Sequence, residues 1–213
     1  MKKKNRFLAN KTFVVFSILA VCIILTAVFA PVVTRGVDPL KGSLVDALLP
    51  PCKEHIFGTD KMGRDIFSRV IYGARASLSA TFGVVALIFL VGTVTGVLAG
   101  YFGGVIDAVI MRIADIFMSF PSIVLILVLV AVLGPSVWSV TCVIGVLGWT
   151  QFARLIYANV LSVSEKEYVE SARAIGTSNF KIVTKYVLPN SFAPILIAIT
   201  FQMASAILSE SSL

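Results

Sequence analysis

The sequence predicts an all-α polytopic membrane protein. Three observations carry that prediction. Of 213 residues, 58% are hydrophobic and only 14% are Asp, Glu, Lys or Arg, against roughly 25% charged residues in an ordinary soluble domain. Mean hydropathy is +0.97. Five long stretches are almost free of charge, and basic segments separate them. Together these exclude a disordered chain, a disulfide-stapled secreted module and an ordinary soluble enzyme. The net charge of +7 is no nucleic-acid signal in so apolar a chain. Its basic residues set topology and meet anionic headgroups instead.

A helix needs about 20 apolar residues to cross the hydrocarbon. The first such stretch is 13–30, between Lys11 and Pro31. It exceeds the roughly 7–15 residues of a signal-peptide core, and Pro31 spoils the cleavage site, so it reads as an uncleaved anchor. The second stretch, 76–106, holds one span with a Gly-rich end at 100–104. The third and fourth come from 116–153, which Gly134-Pro135-Ser136 divides. Pro121 is expected to kink the third span. Arg112 and Asp115, one turn apart at its start, can reach each other or the headgroups. The fifth runs from 186 to 209, with Pro189 at its start.

Lys and Arg mark the cytoplasmic side. Lys2, Lys3, Lys4, Arg6 and Lys11 place residues 1–12 inside as a basic N-terminus. Five alternating spans then place the loop 154–189 inside, and it carries Arg154, Lys166, Arg173, Lys181 and Lys185. The 31–77 loop falls outside. Its seven basic residues are offset by Asp38, Asp46, Glu54, Asp60 and Asp65, and the charge bias counts less in a long loop. The remaining four spans then occupy 78–213.

The spans hold almost no ionisable residue near the bilayer centre, which argues against a proton-coupled carrier or a voltage sensor. A path lined by neutral groups, or completed by other chains, fits better. No phosphate-binding loop, zinc-protease motif or serine-hydrolase elbow is present. Cys22, Cys52 and Cys142 have no metal spacing and read as small apolar fillers. His55, the single histidine, reads as a solvated or hydrogen-bonded side chain rather than a sensor. Gly92, Gly96 and Gly100 recur every fourth residue on one helix face, a pattern that lets another helix backbone approach closely.

The inner loop is the most informative segment. Ser164 is a cap candidate for a helix through Glu165, Glu167 and Glu170, and Gly176 can end that helix in a left-handed conformation. A second short helix, about 178–187, follows before Pro189. Ala172, Ile175 and Gly176 offer a small, shallow surface ringed by charge. Residues alone leave two uses open: a knob for a partner's groove, or an amphipathic helix resting on the membrane.

These residues resemble the cytoplasmic EAA signature of bacterial ABC-importer permeases: Glu-Ala-Ala, three residues, Gly, nine residues, Ile, one residue, Leu-Pro. Glu170, Ala172, Gly176, Leu188 and Pro189 fall on it without a gap. Ser171 replaces the middle Ala, and Tyr186 stands at the Ile position. A second segment resembles the dipeptide/oligopeptide/nickel permeases in particular. It comprises Gly58, Thr59, Asp60, Gly63, Arg64, Asp65, Ser68 and Arg69, followed by Gly73-Ala74-Arg75-Ala76-Ser77-Leu78. Ile56 and Phe57 depart there from the usual Pro-Leu. Thr59 and Asp60 can cap a following helix, and Gly63 can supply a tight turn. Arg64, Asp65 and Arg69 read by themselves as a surface ion-pair set. The resemblance favours a structural role at the outer subunit interface.

The resemblance implies a type I ABC-importer permease bundle with five of the usual six spans, C-terminally incomplete at residue 213. It implies a plasma-membrane subunit that is not an enzyme and binds no cofactor or metal itself. ATP and magnesium belong to two cytoplasmic ATPase partners. A second homologous permease, an extracytoplasmic solute-binding protein and membrane lipids complete the set, with no nucleic acid. The cargo class is di- or oligopeptides, or nickel, moved by alternating access. Coupling to the ATPases would fall to Glu170, Ser171, Ala172, Arg173, Ala174, Gly176, Leu188 and Pro189. The rival readings are a stand-alone channel or secondary carrier, and a membrane scaffold that translocates nothing.

Overall fold

A computed structural model describes residues 10–212; Lys2, Lys3, Lys4, Arg6 and Leu213 lie outside the described residues. The chain divides into two compact units, one up to Ser79 and one from Ala80. Among the described residues four helices are long and apolar enough to cross a membrane, or five if one sharply bent pair counts as a single span.

In the first unit, helix α1 spans Lys11–Val28. Its N-cap is Asn10, whose side-chain oxygen accepts from the Thr12 and Phe13 backbone N–H groups at 3.1 and 3.4 Å. Most of α1's apolar side chains are exposed within this unit, and only Ala27 is buried. A helix that is apolar all round belongs in lipid or against another span. A short helix, α2 (Ala30–Val33), carries Pro31 in its first turn, where a missing N–H costs nothing. An irregular segment follows, with one 3₁₀ turn at Leu44–Asp46 and isolated bridges pairing Gly42 with Arg64 and Thr59 with Asp65. Helix α3 (Ile66–Phe102) begins here, and the unit boundary falls within it.

In the second unit, α3 ends at Gly103 and Gly104, both with positive φ, and α4 covers Gly104–Met118. Helix α5 covers Ser122–Leu133, and α6 covers Val137–Ser164. Ser136 caps α6 by accepting from the Ser139 backbone N–H at 3.1 Å. Glycine register sets the packing of α3 on α6. Gly92 faces Trp149, Phe152 and Ala153; Gly96 faces Ala153 and Ile156; Gly100 faces Tyr157 and Val160. The numbers rise together on both helices, so α3 and α6 run parallel. Residues 103–136 must therefore return along the bundle between them.

That return differs from the expected kinked span starting near 116. Helix α4 already begins at Gly104, and it meets α5 at a bend of 83° across Ser119-Phe120-Pro121. Pro121 stands immediately before α5 with extended ψ, so it breaks the helix instead of bending it. Arg112 and Asp115 lie inside α4 and not at a span entrance. Asp115 pairs with Arg154 of α6 rather than with Arg112. The Tyr157 hydroxyl donates to Asp107 at 3.1 Å, a second polar tie between α4 and α6. Beside the Asp115–Arg154 pair, Ala114, Trp149 and Ala153 are buried with Phe117 edge-on to Trp149.

After α6 come α7 (Glu167–Ala174), α8 (Asn179–Ile182), a π turn (Val183–Val187) and α9 (Leu188–Ser211). Residues 179–211 form one continuous helical rod. The expected boundary at Pro189 is absent. The wider π turn lies just before Pro189, where the ring removes the bond to Lys185 and crowds its carbonyl, and so absorbs the proline without ending the helix.

A Cβ at Gly96 would sit 2.6 Å from the Ala153 carbonyl oxygen and 2.7 Å from Ile156 Cβ. Gly96→Val should therefore push α3 off α6, at about 1–3 kcal/mol, and lower the thermal midpoint of the detergent-purified protein. Gly73→Ala, where a Cβ meets nothing within 4 Å, should leave that midpoint unchanged or slightly raised.

Candidate functional site

In the first unit the motif residues knit a loop. Thr59 bridges it: its hydroxyl donates to the Asp46 carbonyl and accepts from the Leu49 N–H at 2.9 Å. Asp60 is the hub of the ion pairs, with Arg64 Nε at 2.9 Å and Arg69 on the same carboxylate oxygen. Its other oxygen accepts from the backbone N–H groups of Met62 and Arg64 at 2.8 and 3.0 Å. Gly58 and Gly63 both have positive φ. A Cβ on Gly63 would also run into the Ser43 backbone, so the position needs glycine twice over.

Two expectations about this loop need correction. Thr59 and Asp60 do not cap α3. Asp65 does, accepting from the Ser68 N–H at 2.7 Å, because it immediately precedes the helix while the other two are spent on the loop. Nor does Asp65 belong to an exposed ion-pair set with Arg64 and Arg69. It is buried and faces His55 Nδ1 at 3.1 Å. Burial raises the Asp65 pKa, but the Ser68 and His55 hydrogen bonds outweigh it and the net shift is downward. The Arg64 backbone N–H is the main influence holding Asp60 down at about 2, with desolvation opposing it.

In the second unit α7 has two unlike faces. Val169 and Ala172 are buried in the main apolar cluster with Val160, Ile182 and Val187. Glu170, Ser171, Arg173, Ala174, Ile175 and Gly176 are exposed. Ala172 is thus not part of an exposed knob; its small size lets α7 sit close to the bundle. Ser164 does not cap α7 either. It ends α6, its hydroxyl is buried without a partner, and Lys166 precedes α7 with no side-chain capping bond. Gly176 has φ +78°. Its N–H bonds to the Arg173 carbonyl and that of Thr177 to the Ala172 carbonyl, the pairing of a Schellman ending.

Tyr101, near the end of α3, fastens this region. Its hydroxyl donates to Asn179 Oδ1 at 2.9 Å, and the Arg173 guanidinium lies 5.1 Å from its ring centroid. Of the remaining coupling candidates, Leu188 packs against the main cluster and Pro189 is exposed. Tyr101 and Asn179 carried no motif, and only the fold brings their positions, 78 apart in sequence, together.

The second unit also holds a groove of about 520 Å³ between α6 and α9. Phe152, Leu155, Ile197 and Phe201 supply its apolar walls, and Gln151, Asn159 and Gln202 its polar groups. A smaller pocket beside it shares Gln151 and Gln202 and adds Ser122, Ser205 and Ser209. Neutral polar side chains are common and carry no spacing signal, so their convergence was not legible in the sequence.

Folding lowers the Asp60 pKa from 3.8 to about 2. Its carboxylate therefore stabilises the loop fully above pH 3.8, and that contribution is lost as pH falls through about 2. Hydrogen exchange in residues 58–69 should accelerate over that window after correction for intrinsic rates. Asp60→Asn should abolish the step and give faster exchange already at neutral pH.

The family described as "Binding-protein-dependent transport system inner membrane component" matches residues 92–213. The chain is 41% identical, over 96% of its length and 67% of the relative's, to the dipeptide transport system permease protein DppC of Alkalihalophilus pseudofirmus. It is 36% identical, over 98% of its length and 68% of the relative's, to the oligopeptide transport system permease protein OppC of Bacillus subtilis. It is 37% identical, over 92% of its length and 66% of the relative's, to the probable D,D-dipeptide transport system permease protein DdpC of Escherichia coli. The chain thus spans about two thirds of each relative.

Proposed function

The chain belongs to the family of binding-protein-dependent transport system inner membrane components, and from that premise we propose that it is one permease subunit of an ATP-driven peptide importer. It is a multi-pass helical protein of the inner membrane. In our reading residues 1–12 and the loop 154–189 face the cytoplasm, and the loop 31–77 faces outward. A second permease pairs with this one, two ATPases bind below, and an external binding protein delivers the peptide. The peptide cargo is proposed from the relatives, which are dipeptide and oligopeptide transport permeases.

One observation carries the coupling role: α7 is sealed on one side and open on the other. Val169 and Ala172 fix it to the bundle, while Glu170 is exposed and Ile175, 81% exposed, stands at its C-terminal end next to Gly176. An exposed isoleucine at the tip of a rigidly docked helix suits an apolar partner surface. Tyr101 and Asn179 tie the same region to α3, so a push on α7 reaches the spans as a rigid displacement. ATP binding would close the ATPase dimer, α7 would follow, and the spans would rock between inward- and outward-open packings. Hydrolysis supplies the free energy in the partners; this chain turns the motion into access. Glu170 offers a carboxylate for a charge-assisted bond to the ATPase.

Co-expressed with its neighbouring permease and ATPases and placed in vesicles, the chain should support ATP-dependent uptake of labelled dipeptide. Uptake by the purified chain alone would establish the channel or carrier reading, and ATPase binding without uptake the scaffold. Gly176→Val has room for its side chain but forces a β-branched residue to φ +78°, at about 1–3 kcal/mol. The variant should insert and assemble, retain ATP hydrolysis, and lose most peptide uptake. Normal coupled uptake would remove the lever.

A further inference from the structure

We infer that the groove between α6 and α9 is a main-chain reading site, in which the carboxamides of Gln151, Gln202 and Asn159 contact the peptide bonds of the solute in transit. This rests on the peptide-importer reading and names where in this chain the cargo is recognised, and by which chemistry.

The first argument is depth. Gln151 lies midway along α6 (Val137–Ser164), in a helix apolar and long enough to cross the membrane, and is exposed on the surface of the chain. A carboxamide facing hydrocarbon with no partner costs several kcal/mol, so an exposed one at that depth faces water, cargo or a further protein segment. Gln151 borders three cavities of this unit: the groove, the smaller polar pocket, and one beside the Ser119-Phe120-Pro121 break. Open space on several sides favours a path over a sealed contact.

The second argument is chemistry. A side-chain carboxamide has the donor and acceptor of a peptide bond and can pair with it in both senses. Gln202 spends one N–H on the Gly148 carbonyl at 3.4 Å, and Asn159 spends one on the Leu155 carbonyl at 2.9 Å. Those bonds orient both amides and leave their oxygens free to accept. Apolar walls from Phe152, Leu155, Ile197 and Phe201 surround the three amides, and the volume of about 520 Å³ falls in the roughly 300–1,000 Å³ range of small-molecule sites. Such a site reads what all peptides share and accommodates side chains without selecting them. With no charge in it, the peptide termini are not trapped, and release stays fast.

The test uses the assembled complex in vesicles. The double variant Gln151→Leu, Gln202→Leu should co-purify with all partners, keep ATP hydrolysis, and lose about tenfold or more of dipeptide uptake, the effect of removing one or two hydrogen bonds. Gln151→Asn with Gln202→Asn should recover part of the loss. In a background with Cys22, Cys52 and Cys142 changed to Ser, a cysteine placed at 151 should react with a water-soluble thiol reagent, and dipeptide should slow that reaction. Unchanged uptake by the double-leucine variant would overturn the inference. So would failure to co-purify with the second permease, which would make the groove an interface between permeases, or absence of thiol labelling at 151. If the wild-type complex itself takes up no peptide, the parent reading fails instead.

Discussion

The second unit depends on how closely α3 and α6 approach. Every fourth residue from Gly92 to Gly100 presents only backbone to the partner helix, and the partner answers with Ala153, Ile156 and Val160. In a bilayer, lipid tails are as apolar as leucine, so helices gain by fitting backbones together and not by escaping water. That fit fixes a parallel pair, and a parallel pair dictates the rest. The chain between must return, and it does so in two short pieces bent at Pro121. Arg154 and Tyr157, on α6, then hold α4 through Asp115 and Asp107.

The same pair positions the segment assigned to coupling. Tyr101 follows Gly100 directly, so the contact that seats Gly100 on Tyr157 and Val160 also presents Tyr101 to Asn179 and Arg173. Buried Val169 and Ala172 close the gap from the other side. In the proposed cycle, then, the element that meets the ATPase and the helices that line the solute path are joined by packing. The groove amides lie on one helix of that pair and on the last long helix: Gln151 and Asn159 on α6, and Gln202 on α9. A displacement of α6 against α9 would change the groove's width directly.

Much of this was legible beforehand, and the exceptions share a cause. Gly176 was readable as a helix stop because a left-handed residue is a local demand met by one amino acid. The Gly92, Gly96 and Gly100 stripe was readable because helical period is local too. Ser164, Thr59 and Asp60 misled because capping depends on where a helix begins, and that is decided by competing bonds. Thr59 is held by Asp46 and Leu49, Asp60 by its arginines, and the cap of α3 fell to Asp65. Pro189 misled because a π turn can absorb a proline, and nothing in composition announces one.

The sequence by itself determined the helical membrane class, the apolar stretches, and the family motifs at 58–69 and 170–189. Those follow from hydropathy, residue spacing and stereochemistry, all properties of short windows. Only the tertiary structure decided which face of α7 is buried, which aspartate pairs with which base, and that Gln151, Asn159 and Gln202 share one groove. Each of these is a distance between residues far apart along the chain. Such distances depend on how whole helices pack, which is a sum over many weak contacts that no single residue encodes.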